Sequence, residues 1–173
     1  IELSYSEPVR IARLSISEYF RRRAAVEVPA WVSSEFTSRR AGCFVSLHTL
    51  GGSLRGCIGT IFPTEENIAS EIIRNAISSA IRDPRFPPVE AAEFHDLELS
   101  VDILSLPEKA TLSDLDPKKF GVVVSLGYRK GVLLPDLEGV NTVQQQLEIA
   151  LKKAGIGQSE DYNIFRFSVE RYH

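Results

Sequence analysis

The run Cys43-Phe44-Val45-Ser46-Leu47-His48, followed after Gly51-Gly52 by Leu54-Arg55-Gly56-Cys57-Ile58-Gly59-Thr60, decides the fold. Apolar and polar residues alternate in both halves, the period of a strand with one buried face. Gly51-Gly52 between them is a two-residue hairpin signal. With that pair as the turn, Leu50 faces Ser53, His48 faces Arg55, Ser46 faces Cys57 and Phe44 faces Gly59. Val45 then faces Ile58, and Leu47 faces Gly56. This register gathers Val45, Leu47, Leu54 and Ile58 on one apolar side. It leaves Ser46, His48, Arg55 and Cys57 together on the other.

The polar side carries the candidate chemistry. Gly56 and Gly59 inside a strand mark a bulge, or a place where a ligand or another backbone comes close. Arg55 stands two residues before Cys57, and positive charge beside a thiol favours the thiolate. Cys57 is therefore a candidate nucleophile or redox thiol, expected to titrate well below ~8.5. The plainer reading is a small buried filler. His48 lies diagonally from Cys57, roughly 7–8 Å away between backbones, as a candidate proton carrier.

Composition narrows the class. The chain has 173 residues, 43% hydrophobic and 25% charged, which suits one globular domain over 1–173. A net charge of −3 argues against a nucleic-acid binder, which usually has a basic face. No apolar run is long enough to cross a bilayer, and the start shows no secretory signal. The sequence contains no Met, so its native start is expected to lie outside it. The register puts Cys43 and Cys57 on opposite faces, which predicts no disulfide and a reducing cytoplasm. No Cys-x-x-Cys, His-x-x-x-His or phosphate-cradling glycine loop is present, so no metal site and no cofactor is read from these residues.

Around the hairpin the pattern is mixed. Val9, Ala12, Ile16, Tyr19 and Phe20 recur at helical spacing up to about Arg23, with Ser6 and Pro8 at the start. Arg21-Arg22-Arg23 reads as a solvated helix end before it reads as an anion site. Trp31 is expected to plug the core. Pro63-Thr64-Glu65-Glu66 opens a second helix, largely buried through Ile68, Ile72, Ile73, Ala76, Ile77 and Ala80. Asn75 falls on its packed side and must find a partner, either a neighbouring loop or a substrate. Asp83-Pro84-Arg85-Phe86-Pro87-Pro88 is stiff and poor in backbone donors. Asp83, Arg85 and Phe86 there either wall a pocket or hold the turn. Leu97–Ile103 is a half-buried strand, Phe120–Leu126 and Gly131–Leu134 are strand-like, and Ile164–Val169 is a last strand. Thr142 and Gln145 have capping-box spacing before a helix that Gly155 stops.

Laying Gly42 on Gly121 without a gap also matches Val45, Ser46, Leu47, Gly52 and Leu54 with Val124, Ser125, Leu126, Gly131 and Leu133. The same alignment sets Asp136 on Cys57. It predicts an α+β fold of duplicated strand-strand-helix units, roughly 42–82 and 121–155. These would form one barrel-like, mostly antiparallel sheet with helices packed outside, because closure removes sheet edges.

Leu54-Arg55-Gly56-Cys57-Ile58-Gly59-Thr60, Asp83 with Arg85-Phe86-Pro87-Pro88, and Leu134-Pro135-Asp136 resemble the AMMECR domain family. Its bacterial and archaeal members are called AmmeMemoRadiSam system protein A. The resemblance runs from about Pro8 to Tyr172 and implies an α+β fold with a duplicated unit. It implies no established activity. The family's naming implies a pathway shared with a Memo-like protein and a radical S-adenosylmethionine enzyme, acting on a nucleotide, RNA or small metabolite. An acid at Asp136 is part of the resemblance.

Two functional expectations follow. In the first, the protein is an enzyme or enzyme component. Cys57 reacts in a polar cleft, Asp136 or His48 moves protons, and Arg55, Gly56, Gly59, Asn75, Asp83, Arg85 and Phe86 bind a small anionic ligand or nucleotide. In the second, it is a binding or scaffold module for those two partners. Gly56 and Gly59 then admit a partner's backbone, and the Asp83–Pro88 loop frames the groove. Nucleic-acid binding would require the arginines to form a basic stripe.

Overall fold

The first element, α1 (Glu7–Arg22), buries Val9, Ala12 and Ile16, as the helical spacing predicts, and Ile11 beside them, while Tyr19 and Phe20 are half-buried. Ser6 holds its N-cap position without a side-chain cap bond, and Arg23 closes it at φ 56. The computed structural model describes residues 4–173. The first three residues, part of the start read as free of a secretory signal, lie outside the described residues. The elements that follow are α2 (Ser34–Thr37), β1 (Cys43–Thr49), β2 (Leu54–Gly59), α3 (Ile68–Ile81), α4 (Ala91–Phe94) and β3 (Leu97–Leu104). Then come β4 (Glu108–Lys109), a 3-10 turn at Leu112–Asp114, β5 (Gly121–Leu126), β6 (Arg129–Leu133), α5 (Val143–Ala154), β7 (Asn163–Phe167) and β8 (Val169–Tyr172). Among the described residues no helix is long and apolar enough to cross a membrane.

The fold is α+β, with two four-stranded sheets in place of the expected barrel. One has the order β2-β1-β3-β8, the other β4-β7-β5-β6. The pairings of β1 with β2 and β3, of β5 with β6 and β7, and of β4 with β7 are antiparallel. Closure is not needed to manage the edges. β4 is only two residues long, and β2 is covered by side chains described below.

Two compact units lie within the 1–173 span: the chain up to Ile103 with Glu170–His173, and Leu104–Val169. In the first, α1 and α3 share a core with Val45 and Leu47 of β1 and Leu99 and Val101 of β3. In the second, Leu147, Ala150 and Leu151 of α5 pack with Val122 and Val124 of β5 and Leu133 of β6. α5 has the expected capping box between Thr142 and Gln145, and it stops at Gly155 with φ 69. Trp31 does not plug a core. It is 43% exposed, with the Arg10 guanidinium 4.3 Å from its ring.

The β1–β2 hairpin keeps the expected register over four pairs: Phe44 with Gly59, Val45 with Ile58, Ser46 with Cys57 and Leu47 with Gly56. It departs nearer the turn. Gly52 N–H donates to Thr49 O, Thr49 N–H donates to Ser53 O, and Gly52 takes φ 88. That is a three-residue loop closed by a left-handed glycine, not a two-residue turn. His48 consequently pairs with Leu54, and Arg55 is the extra residue of a bulge.

The gapless self-alignment also fails at its second strand. β6 ends at Leu133, so Asp136 lies in the following loop and not at a strand position matching Cys57. Both units carry a strand-strand-helix run, but the second hairpin turns directly through Gly127-Tyr128.

Candidate functional site

α3 sets the geometry of the motif strand. Its packed face carries Glu71, Asn75 and Ser79 at successive four-residue steps, exposed by only 0%, 3% and 1%. Each bonds to the hairpin or to the chain leaving it. Glu71 accepts from Thr60 Oγ1 at 2.7 Å, and from Thr64 and Glu65 backbone N–H groups at 2.9 and 2.8 Å. Asn75 Nδ2 donates to Cys43 O at 3.0 Å and to Thr60 Oγ1 at 3.1 Å. Ser79 Oγ donates to Val45 O at 2.5 Å and accepts from Ile58 N–H at 2.8 Å, inserting between the two strands. α3 begins after Asn67, whose side chain caps it by accepting from Ser70 N–H at 2.8 Å, and not at Pro63. A polar residue every fourth position along an apolar helix face was the available sequence signal. Of the three, only Asn75 is singled out by the sequence, and the partners its amide finds are Cys43 O and Thr60 Oγ1.

The two glycines are likewise explained by protein neighbours. A Cβ on Gly56 would stand 2.3 Å from Ser79 O, and one on Gly59 would stand 2.3 Å from the Phe44 ring. The backbone that comes close is the protein's own. On the side where a Cβ would stand, both positions are filled by the protein's own atoms.

β2 is an edge strand, so the outward backbone groups of Cys57 need partners. The Asp83–Pro88 loop supplies them. Cys57 N–H donates to Asp83 Oδ2 at 2.9 Å, and Arg85 Nη2 donates to Cys57 O at 3.2 Å. Arg85 also grips Asp83 through Nε at 3.0 Å and Nη2 at 2.8 Å. The Asp83 carboxyl is held down to about 2, chiefly by the Arg85 side chain, with the Cys57 and Arg85 N–H groups helping against burial. Phe86 is half-buried, with the Arg85 guanidinium 5.4 Å from its ring.

The thiol itself contradicts the low-pKa expectation. Burial pushes Cys57 up, and the nearby Asp102 and Asp83 carboxylates add to it. A hydrogen bond from Ser46 Oγ at 3.2 Å and the Arg85 charge pull the other way without prevailing. Arg55 takes no part. The bulge re-aims it onto Pro87 O at 2.8 Å, Pro88 O at 3.4 Å and Glu93 Oε1 at 2.6 Å, leaving its side chain 16% exposed. It holds the proline loop and is not free for an anion. His48 sits opposite Leu54 and Glu98, not Arg55, and its imidazole makes no hydrogen bond among the described residues. Asp136, in the second unit, is exposed at φ 56. Its N–H donates to Pro117 O, and Lys118 Nζ lies 3.9 Å from its carboxylate.

The same face of the first sheet holds a pair the sequence reading missed. Asp102 of β3 stands opposite Phe44, is 2% exposed, and takes two bonds from Arg171 of β8, at 2.7 and 3.0 Å. Nothing local in the sequence links residues so far apart. Among the described residues, no group of three or more His, Cys, Asp or Glu is placed to hold a metal ion.

The fold and the sequence both match known proteins. The family model named AMMECR1 matches residues 9–172. The chain belongs to the AMMECR1 family. It is 54% identical over 159 residues to a Thermotoga maritima protein, covering 91% of each. It is 53% identical over 165 residues to Protein CA_C1420 of Clostridium acetobutylicum, which covers 95% of this chain but only 35% of that longer protein. Its structure is similar to the crystal structure of the uncharacterized protein PH0010 from Pyrococcus horikoshii. The TM-score is 0.88 and the identity 30%, with 95% of this chain and 88% of the other covered.

Proposed function

We propose that the AMMECR1 motif strand and the Asp83–Pro88 loop form a rigid protein-docking surface, with Cys57 as a packing residue beneath it. The observation that carries this reading is the clamp of Asp83 and Arg85 on the Cys57 backbone. It fixes three prolines, Arg85 and Phe86 as one stiff unit, while the thiol is pushed toward its neutral form. A nucleophilic role needs the thiolate, which burial disfavours here. The partners are the Memo-like protein and the radical S-adenosylmethionine enzyme that the family's naming implies. In that pathway the domain positions its partners and does not carry the reacting group. The two free cysteines support a reducing, cytoplasmic setting.

Calorimetric titration of the full chain with a purified Memo-like protein and with a radical S-adenosylmethionine enzyme tests the reading. Arg85→Ala and Phe86→Ala should each weaken binding about tenfold, whereas Cys57→Ser should bind as the parent does. Intact binding by both loop variants would remove the surface from consideration. Separately, alkylation of Cys57 followed against pH should have its midpoint above ~8.5. A lower midpoint would restore the enzyme reading.

A further inference from the structure

The three consecutive arginines that end α1 do not act alike. Arg21 and Arg22 both pair with Glu18, at 2.6 and 3.3 Å, and serve the helix end. Arg23 instead lines a cleft of about 600 Å³. The cleft runs between the last turn of α1, segment 24–28 and the outer stripe of α3. Its size is that of a small-molecule site.

The lining is amphipathic. Ile73 and Ile77 of α3 and Val26 and Val28 of the facing segment supply apolar surface. Arg23, Arg74 and Arg82 supply positive charge, against Glu27 and Glu65. Arg74 and Glu65 neutralise each other at 2.7 Å. Among the described residues, Arg23 and Arg82 have no carboxylate within ion-pair distance. Arg23 only leans over the Tyr19 ring at 5.8 Å, and a cation–π contact leaves the charge in place.

Both residues are helix C-caps, where a basic side chain ordinarily complements the dipole. That explanation is weak for Arg23, because Arg21 and Arg22 already do this. Arg23 also holds φ 56, a left-handed cap that glycine would fill at lower cost. We propose that this cleft binds an organic anion with an apolar body, its carboxylate or phosphate head on Arg23 and Arg82 and its body along Ile73, Ile77, Val26 and Val28. The site is separate from the Cys57 surface and stands or falls independently of it.

The probe is 8-anilinonaphthalene-1-sulfonate, titrated by fluorescence into the full chain, with octanoate and octyl phosphate as competitors. The probe should bind, weaken with salt, and be displaced by at least one competitor, the stronger identifying the head group. Arg82→Gln and Arg23→Gly should each lower probe affinity about tenfold. Arg23→Gly should do so with an unchanged or higher Tm, since glycine takes the cap conformation freely. A purely structural role predicts the opposite pairing, a changed Tm with unchanged affinity. Unchanged affinity in both variants, or failure of both competitors to displace the probe, would overturn the proposal.

Discussion

Glu71 and Gln146 occupy the same place in two helices, the fourth residue of α3 and of α5, and both are fully buried. Their surroundings differ. The oxygens of Glu71 accept four hydrogen bonds, from Thr60, from both N–H and Oγ1 of Thr64, and from Glu65. Gln146 donates one bond, to Phe120 O at 2.9 Å, and its Oε1 has no partner. Burying a polar group is favourable only when its bonds are completed. In the first unit the buried polar group stitches the helix to the hairpin and the loop beyond. In the second it makes a single bond, beside a core of apolar side chains.

The sharpest test removes the two side chains in parallel. Glu71→Ala should cost about 4 kcal/mol in urea unfolding, because it strands several buried donors at once. A cost near that of the Gln146 variant described last would break the contrast. Next come the glycines pressed against each helix. A Cβ on Gly56 meets Ser79 O at 2.3 Å, and one on Gly131 meets Ala150 O at 2.0 Å. Gly56→Ala and Gly131→Ala should each cost about 3 kcal/mol, since helix backbone cannot yield as a side-chain tip does. This is where the two units should behave alike.

Asp83→Asn should cost about 2 kcal/mol at neutral pH. Its folded pKa is depressed to about 2. The ionic contribution is therefore fully present above the unfolded value of ~3.9 and is lost as pH falls through the folded value. The difference between variant and parent should be constant down to about pH 5, then shrink toward zero near pH 2. A pH-independent difference would mean the Arg85 clamp is not ionic. The smallest effect is expected for Gln146→Met, within about 1 kcal/mol of the parent. Relieving an unpaired buried oxygen offsets the lost bond to Phe120.

Much of the fold is legible from local pattern. Alternation puts Val45 and Leu47 on a buried face, and centring the hairpin on Gly51-Gly52 predicts four of its residue pairs. Helical spacing locates α1, and the Thr142–Gln145 box locates the start of α5. The turn is not legible, because Gly51-Gly52 suits both a two-residue turn and a three-residue loop closed by Gly52. That single residue of difference sends Arg55 to the proline loop and His48 out of line with it. The candidate site is half legible. The Asp83, Arg85 and Phe86 loop stands out by its prolines, but its grip on the Cys57 backbone joins residues that no local rule connects.

The sequence by itself determined where the main strands and helices run and most of the faces they bury, because those follow from periodicity along a short stretch. It also carried the family. The tertiary structure alone decided what the motif's polar atoms do. Whether a thiol ionises, whether a glycine faces a ligand or a helix, and whether an arginine is free or spent all depend on neighbours brought from far along the chain. Burial and completed hydrogen bonds, not residue identity, set those outcomes.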